Sequence, residues 1–139
     1  MPAYAVDAST VLAALVEEAH SNSARQFFET LAADDEIVAP GFILVECTSN
    51  LRRKAFAGTL TNQEAIEKLE LALRIPIRQV WTYRQHRSAL AISAQRGTRR
   101  AYDAHYLAIA SDEGAELVTI DGGMYQSAIE MRIPARLLR

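Results

Sequence analysis

The chain has 139 residues, of which 50% are hydrophobic and 23% charged, and its formal net charge is -2. This length fits one domain spanning residues 1–139. The slight negative charge excludes nucleic-acid binding through overall charge, so any such contact needs a local basic patch. One cysteine excludes an intrachain disulfide. Without a signal-peptide pattern or a membrane-length apolar run, we expect a soluble, cytoplasmic protein.

Short apolar segments alternate with helical patterns along the chain. The predicted strands cover residues 3–6, 37–39, 75–80, 116–120 and 133–135. The predicted helices cover residues 10–18, 22–31, 42–57, 61–73, 83–95, 99–110 and 125–130. This alternation is typical of a parallel sheet covered by helices on both faces, an α/β three-layer domain. In such sheets, ligands bind beyond the carboxyl ends of the strands, where the strand order reverses.

The most apolar predicted helix carries one acidic residue near its start. Asp103 has Leu107 and Ala110 at positions i+4 and i+7, on the same face of the helix. A carboxylate among apolar residues needs a partner, because burying an unpaired charge is costly. Asp103 therefore either caps the helix and complements its dipole or belongs to a polar site.

Two predicted strands end in aspartate. Asp7 follows the strand at 3–6, and Asp121 follows the strand at 116–120. In one parallel sheet, both would lie at the carboxyl edge, where the helix with Asp103 also begins. Each has a structural alternative: Asp7 as a helix cap, and Asp121 as the first residue of an Asp-Gly turn.

A fourth acid, Glu46, interrupts the apolar start of the helix at 42–57. Glu46, Asn50 and Arg53 lie at positions i, i+4 and i+7, so they form a polar stripe. The stripe is either a solvated face or part of the same acidic edge.

Four acids at one edge of a sheet predict a bound cation. Two carboxylates about 5 Å apart repel by about 3 kcal/mol at an effective dielectric constant of 20. Some of them therefore stay protonated, or a cation neutralises them. Oxygen ligands without a thiolate or histidine cluster favour Mg²⁺ or Mn²⁺, which activates water and stabilises charge on phosphoryl oxygens. The pattern indicates metal-assisted phosphodiester hydrolysis.

Four segments carry these acids: Val6-Asp7-Ala8-Ser9, Glu46-x-x-x-Asn50, Tyr102-Asp103-Ala104-x-Tyr106-Leu107-Ala108 and Leu117-Val118-Thr119-x-Asp121. In this order they resemble the PIN-domain ribonucleases, and most closely the VapC-type toxins of toxin–antitoxin pairs. The resemblance implies a five-stranded parallel sheet between helices. It also implies that Asp7, Glu46, Asp103 and Asp121 form a catalytic quartet that holds Mg²⁺ or Mn²⁺ and cuts single-stranded RNA or RNA loops.

The same resemblance implies supporting residues and partners. Ser9, Asn50 and Thr119 match the polar positions that support the quartet. The family also implies a homodimer and a neutralising antitoxin, whose C-terminal tail enters the acidic groove, often through an arginine. One departure lies after Asp121, where Gly122-Gly123-Met124 stands in place of the charged residues that relatives often carry.

Basic and aromatic residues suggest further contacts. Arg99 and Arg100 are the best candidates for RNA phosphates, because they flank Asp103. Trp81 and Tyr83 are expected to serve packing or a dimer interface rather than base stacking.

Three other classes of protein are alternatives to this interpretation. A haloacid-dehalogenase-type phosphatase needs an aspartate where this chain has Ser9. A phosphorelay receiver needs a lysine near the last strands, and this chain has only Lys54 and Lys68. Both classes are therefore disfavoured. A catalytically silent PIN-fold module that only binds a partner is the remaining alternative.

Overall fold

The computed structural model describes residues 2–139 and contains one parallel sheet. Its strands, in chain order, are β1 (Ala3–Val6), β2 (Glu36–Pro40), β3 (Ile77–Val80), β4 (Glu116–Thr119) and β5 (Ala135–Leu137). They lie side by side in the order β3-β2-β1-β4-β5. Every neighbouring pair is parallel. The five-stranded parallel sheet predicted for the chain is therefore confirmed.

Helices connect and cover the strands, giving an α/β three-layer fold. In chain order they are α1 (Ala8–Leu15), α2 (Ser21–Glu29), α3 (Ile43–Phe56), α4 (Asn62–Leu73), α5 (Tyr83–Arg96), α6 (Tyr102–Asp112) and α7 (Gly122–Glu130). Within residues 2–139, none of these helices is both long and apolar enough to cross a membrane.

The position of β1 in the sheet determines where a site can form. The chain first adds β2 and β3 on one side of β1, and then crosses over to add β4 and β5 on the other side. The order of strands therefore reverses between β1 and β4, whose registered pairs include Val6 and Val118. A crevice beyond the carboxyl ends of β1 and β4 is the expected position for a ligand in such a sheet.

Helix α6, which the sequence predicts to be apolar almost throughout, is buried. From Ala104 onward, most side chains of α6 are buried, including those from Tyr106 to Ala110, and α6 contacts β1, β2, β4 and α5. Residues 99–101 precede the helix rather than form part of it. The buried helix thus begins beside the carboxyl edge of the sheet and brings Asp103 there.

Several predicted boundaries are wrong, including the start of β3, which lies at Ile77 rather than at residue 75. α1 covers residues 8–15 rather than 10–18, because Asp7 caps it and Val16 is already extended. α7 begins at Gly122 rather than near residue 125, because the Asp121 side chain caps it. β5 covers residues 135–137 rather than the predicted 133–135, and its first residue pairs with Leu117.

Candidate acidic active site

Asp7 lies directly after β1, and its side chain is 4% exposed. Its Oδ2 accepts hydrogen bonds from Ser9 Oγ at 2.9 Å and from Thr119 Oγ1 at 3.0 Å. Its Oδ1 accepts from the Thr10 backbone N–H at 3.3 Å and from the Thr10 hydroxyl. The carboxylate therefore caps α1 and also joins β1 to the end of β4.

Burial of Asp7 has an electrostatic cost that these donors offset only in part. Burial raises the pKa of the Asp7 carboxyl above its ordinary value, while hydrogen bonds from Thr10, Ser9 and Thr119 act in the opposite direction. A buried carboxylate with a raised pKa favours a proton or a nearby cation. When it is ionised, Asp7 raises the pKa of Glu46 and of Asp103.

Glu46 occupies the first turn of α3 and is half-buried. The Tyr106 hydroxyl donates a hydrogen bond to Glu46 Oε1 at 2.6 Å. Burial raises the pKa of Glu46, the Tyr106 hydrogen bond lowers it, and the charges of Asp103 and Asp7 raise it further, so that the net direction is upward. Glu46 is therefore close enough to both aspartates to respond to their charges.

Asp103 and Asp121 bring two more carboxylates to this edge of the sheet. Asp103 lies in the first turn of α6, and burial together with the charges of Asp121 and Asp7 raises its pKa. Asp121 caps α7, because its Oδ1 accepts from the backbone N–H groups of Gly123 at 2.8 Å and Met124 at 3.1 Å.

Glu46, Asp103 and Asp121 line one cavity of about 440 Å³. The remaining lining residues are mostly apolar or basic, and include Arg96, Arg100, Tyr102, Leu107 and Met124. We refer to this space as the acidic cavity. Asp7 does not line it, but its charge acts on two of the three acids that do.

The donor set of the acidic cavity fits a hard cation, because all the candidate ligands are carboxylate oxygens. Burial is the largest cause of the raised pKa values at Glu46 and Asp103, and the neighbouring carboxylates raise them further. Within the described part of the chain, however, no group of three or more His, Cys, Asp or Glu side chains is arranged so that it could hold a metal ion. The acids therefore converge without forming a closed ligand shell.

A comparison with protein-family models matches residues 4–129 to the PIN domain. The chain belongs to the PIN domain family. A search of curated proteins found no match.

Solved structures share the fold of this PIN domain at low identity. PAE2754 from Pyrobaculum aerophilum is 24% identical over 91% of this chain and 86% of that chain, with a TM-score of 0.66. VapC20 from Mycobacterium tuberculosis, described as a sarcin-ricin loop cleaving toxin, is 16% identical over 89% and 94%, with a TM-score of 0.71. VapBC2 from Rickettsia felis, bound to a fragment of promoter DNA, is 16% identical over 99% and 99%, with a TM-score of 0.66.

The predicted supporting residues divide into two groups. Ser9 and Thr119 contact Asp7. Asn50 does not line the acidic cavity; its Oδ1 accepts a hydrogen bond from Arg53, and both residues line a separate cavity of about 410 Å³. The polar stripe on α3 therefore reaches two cavities. Glu46 lines the acidic cavity, whereas Asn50 and Arg53, one and two helical turns farther along, line the other.

The two predicted RNA contacts also differ. Arg100 lines the acidic cavity, whereas Arg99 is exposed and does not line it. Arg96, which lies at the end of α5, lines the cavity as well and pairs with Glu130 at 2.9 Å.

Sequence reasoning missed two residues that hold the acids. Thr10 donates to Asp7 through its hydroxyl and accepts from the Ile120 backbone N–H at 3.0 Å, so it ties α1 to the residue before Asp121. Tyr106, which is almost fully buried, holds Glu46. The sequence contains a signal for each of them. Thr10 is a polar residue three positions after the N-cap Asp7, and Tyr106 carries a hydroxyl in an otherwise apolar helix.

The two glycines after Asp121 begin α7, and each lies close to a neighbouring side chain. A Cβ on Gly123 would lie 3.3 Å from Asp121 Oδ1, which is tighter than ordinary contact. A Cβ on Gly122 would lie 3.3 Å from Arg139 Nη2, and the same guanidinium donates through Nη1 to the Ile120 carbonyl at 2.9 Å. In this chain, Gly122 therefore leaves room for Arg139 beside the start of α7.

Replacing Asp103 should stabilise the metal-free protein at neutral pH. Its pKa is higher in the folded state than in the unfolded state, so folding loses free energy as the pH rises from about 4 towards 7. We expect Asp103→Asn to raise the melting temperature at pH 7 by a few degrees and to flatten its dependence on pH.

Thermal denaturation in EDTA at several pH values measures this effect. Asp34→Asn is the control, because Asp34 is exposed and does not line the acidic cavity. An Asp103→Asn melting temperature that falls with pH as steeply as the wild-type value would contradict the expected repulsion.

Proposed function

We propose that this PIN domain is a metal-dependent endoribonuclease, the toxin of a toxin–antitoxin pair, and that Asp7, Glu46, Asp103 and Asp121 form its active site. The observation that supports this most directly is the convergence of the four carboxylates. Three of them line one cavity, and the charge of Asp7 raises the pKa of Glu46 and Asp103. Membership of the PIN domain family supports nuclease chemistry.

We propose that Mg²⁺ or Mn²⁺ binds to Glu46, Asp103 and Asp121, with Asp7 behind them. Mg²⁺ in proteins usually keeps several water ligands and binds directly to only one or two carboxylates. A preformed group of three direct ligands is therefore not required, and the open arrangement is compatible with this ion. When bound, such an ion activates water and stabilises charge on phosphoryl oxygens.

In this proposal the chain's own residues position the acids and the RNA. The Tyr106 hydroxyl fixes Glu46 through Oε1, which leaves Oε2 as the second acceptor. Burial raises the pKa of Tyr106, so its hydroxyl stays protonated and remains a donor. Arg100 lines the cavity, and its guanidinium is the group we propose to bind a phosphate of the substrate.

Single-stranded RNA or an RNA loop is the substrate class we propose. Bases in these regions are free of a partner strand, so they can enter a concave site. A structural relative is described as a sarcin-ricin loop cleaving toxin, which supports this class for the present chain.

The second candidate is a catalytically silent PIN domain that only binds a partner. It is favoured by one observation, the lack of a closed metal-binding group in residues 2–139. Against it, all four carboxylates are present, and the cavity retains their mutual repulsion. Metal-dependent cleavage distinguishes the two candidates.

The purified protein should cleave single-stranded RNA with Mg²⁺ or Mn²⁺ and lose this activity in EDTA. Asp7→Asn and Asp103→Asn should each reduce the rate at least about 100-fold, because each removes charge needed at the metal. Gel analysis of a labelled RNA measures the rate, and Asp34→Asn provides a surface control that should keep full activity.

Mapping of RNA ends in cells after induction tests the same proposal without a chosen substrate. New ends should appear with the wild-type chain and not with Asp7→Asn. Activity that survives EDTA, or that is equal in the Asp7→Asn preparation, would reveal a contaminating nuclease and reject the assignment.

Arg100→Gln should weaken RNA binding more than Arg99→Gln, because only Arg100 lines the acidic cavity. We expect KM for RNA to increase several-fold and the slope of log affinity against log salt to fall by about one for Arg100→Gln. Cleavage kinetics and filter binding at several salt concentrations measure both quantities. Equal effects of the two variants would contradict the proposal that Arg100 contributes more to RNA binding than Arg99.

We further propose that the chain forms a homodimer and binds an antitoxin protein. Large apolar side chains, among them Phe56, Ile66 and Leu73, are exposed. Between α3 and α4, Leu51, Ile66 and Leu69 line an apolar groove of about 280 Å³. Exposed apolar surface of this kind marks interfaces in soluble proteins. Structural relatives include VapBC assemblies.

Sedimentation of the purified chain should give twice the mass of one 15.4 kDa chain. Phe56→Ser should shift the equilibrium towards the monomer, because it removes apolar area from the interface. A candidate antitoxin should form a larger complex with the chain and stop RNA cleavage. A wild-type monomer at every concentration would exclude the homodimer.

A further inference from the structure

An exposed aromatic ring stands in the wall of the acidic cavity. Tyr102 is the first residue of α6, directly before Asp103, and it is 57% exposed. It lines the same cavity as Glu46, Asp103 and Asp121. Most of α6 beyond Asp103 is buried, so the exposure of this ring is not a general property of the helix.

The Tyr102 ring is supported from one side by an aromatic cluster. Its ring lies edge-to-face with Phe42, with centroids 5.7 Å apart and an interplanar angle of 81°. Phe42 in turn packs edge-to-face against His105 and Tyr106. His105 Nδ1 is 2.6 Å from the Ala101 carbonyl oxygen, which allows a hydrogen bond that holds the start of α6. A ring held in this way loses little freedom when a ligand packs on it.

The groups beside Tyr102 match the parts of a nucleotide. Arg100, two residues earlier, provides a cation for a phosphate, and Asp103 belongs to the acids proposed to hold the metal. The exposed aromatic ring of Tyr102, which lines the same cavity, provides a surface for a base, because every base has a π face that stacks on aromatic side chains.

We propose that Tyr102 forms a nucleobase-stacking subsite, on which a base next to the cleaved phosphodiester rests. This inference rests on the proposed ribonuclease function and adds a positioning residue to it. Bases within a duplex are already stacked on both faces. A subsite of this kind therefore selects unpaired nucleotides, in a single strand or a loop. Because stacking tolerates every base, the subsite selects for strand state more than for sequence.

The chain offers a matched control. Tyr83, the first residue of α5, is 81% exposed but does not line the acidic cavity. Tyr83→Leu and Tyr102→Leu therefore remove the same ring from two exposed helix starts. Only the second removes it from the proposed subsite, and Tyr102→Phe keeps the ring while it removes the hydroxyl.

The test measures stacking directly, with RNA that is not being cut. Single-stranded RNAs about ten nucleotides long carry one 2-aminopurine, placed at each position in turn, and are titrated with protein in EDTA. Wild type and Tyr102→Phe should quench the fluorescence at one or two adjacent positions. Tyr102→Leu should lose this quenching and bind about tenfold more weakly, while Tyr83→Leu should match wild type.

The outcomes separate this inference from the proposed function. Quenching that depends on Tyr102, in a protein that cuts no RNA with Mg²⁺ or Mn²⁺, would retain the subsite and reject the nuclease. Metal-dependent cleavage, with neither quenching nor affinity altered in Tyr102→Leu, would retain the nuclease and overturn the subsite. Absence of Tyr102-dependent quenching at every position, or an equal loss in Tyr83→Leu, also overturns it.

Discussion

Four helix N-termini meet at the carboxyl edge of the sheet, and each one holds a carboxylate. Asp7 and Asp121 are the N-caps of α1 and α7, while Glu46 and Asp103 lie in the first turns of α3 and α6. The partial positive charge at a helix N-terminus stabilises a nearby anion by about 0.3–1 kcal/mol. Four such termini offset part of the repulsion between the acids, so the fold tolerates their convergence.

The capping role and the proposed catalytic role of these acids are therefore compatible. A cap fixes the carboxylate beside the backbone N–H groups that begin a helix, and in this fold those helices begin at the ligand-binding edge. Asp7 shows the combination most clearly, since it caps α1 and accepts from Thr119 at the end of β4. The same hydrogen bonds that stabilise the start of α1 also set the position of a charge that reaches Glu46 and Asp103.

The sequence predicts which acidic residues lie at the carboxyl edge of the sheet better than it predicts which side chains contact them. Asp7 and Asp121 are found by position alone, because a residue that follows a parallel strand must lie at the carboxyl edge. Helical spacing is less informative: it places Asn50 on the same face as Glu46, but it does not say how far along the helix a cavity extends. The roles of Thr10 and Tyr106 depend on which elements pack together, and local patterns carry little of that information.

The four carboxylates differ in how many acceptor sites they have left. An ionised carboxylate offers about four such sites. Asp7 uses all of them for Ser9, Thr10 and Thr119, whereas Asp121 and Glu46 are held through one oxygen each. Among the described residues, no donor reaches the Asp103 carboxylate. Asp7 is thus fixed by the fold and contributes mainly its charge. The acids that line the cavity keep oxygen atoms free, and these atoms are available to the proposed cation without disruption of the hydrogen bonds that join β1 to β4.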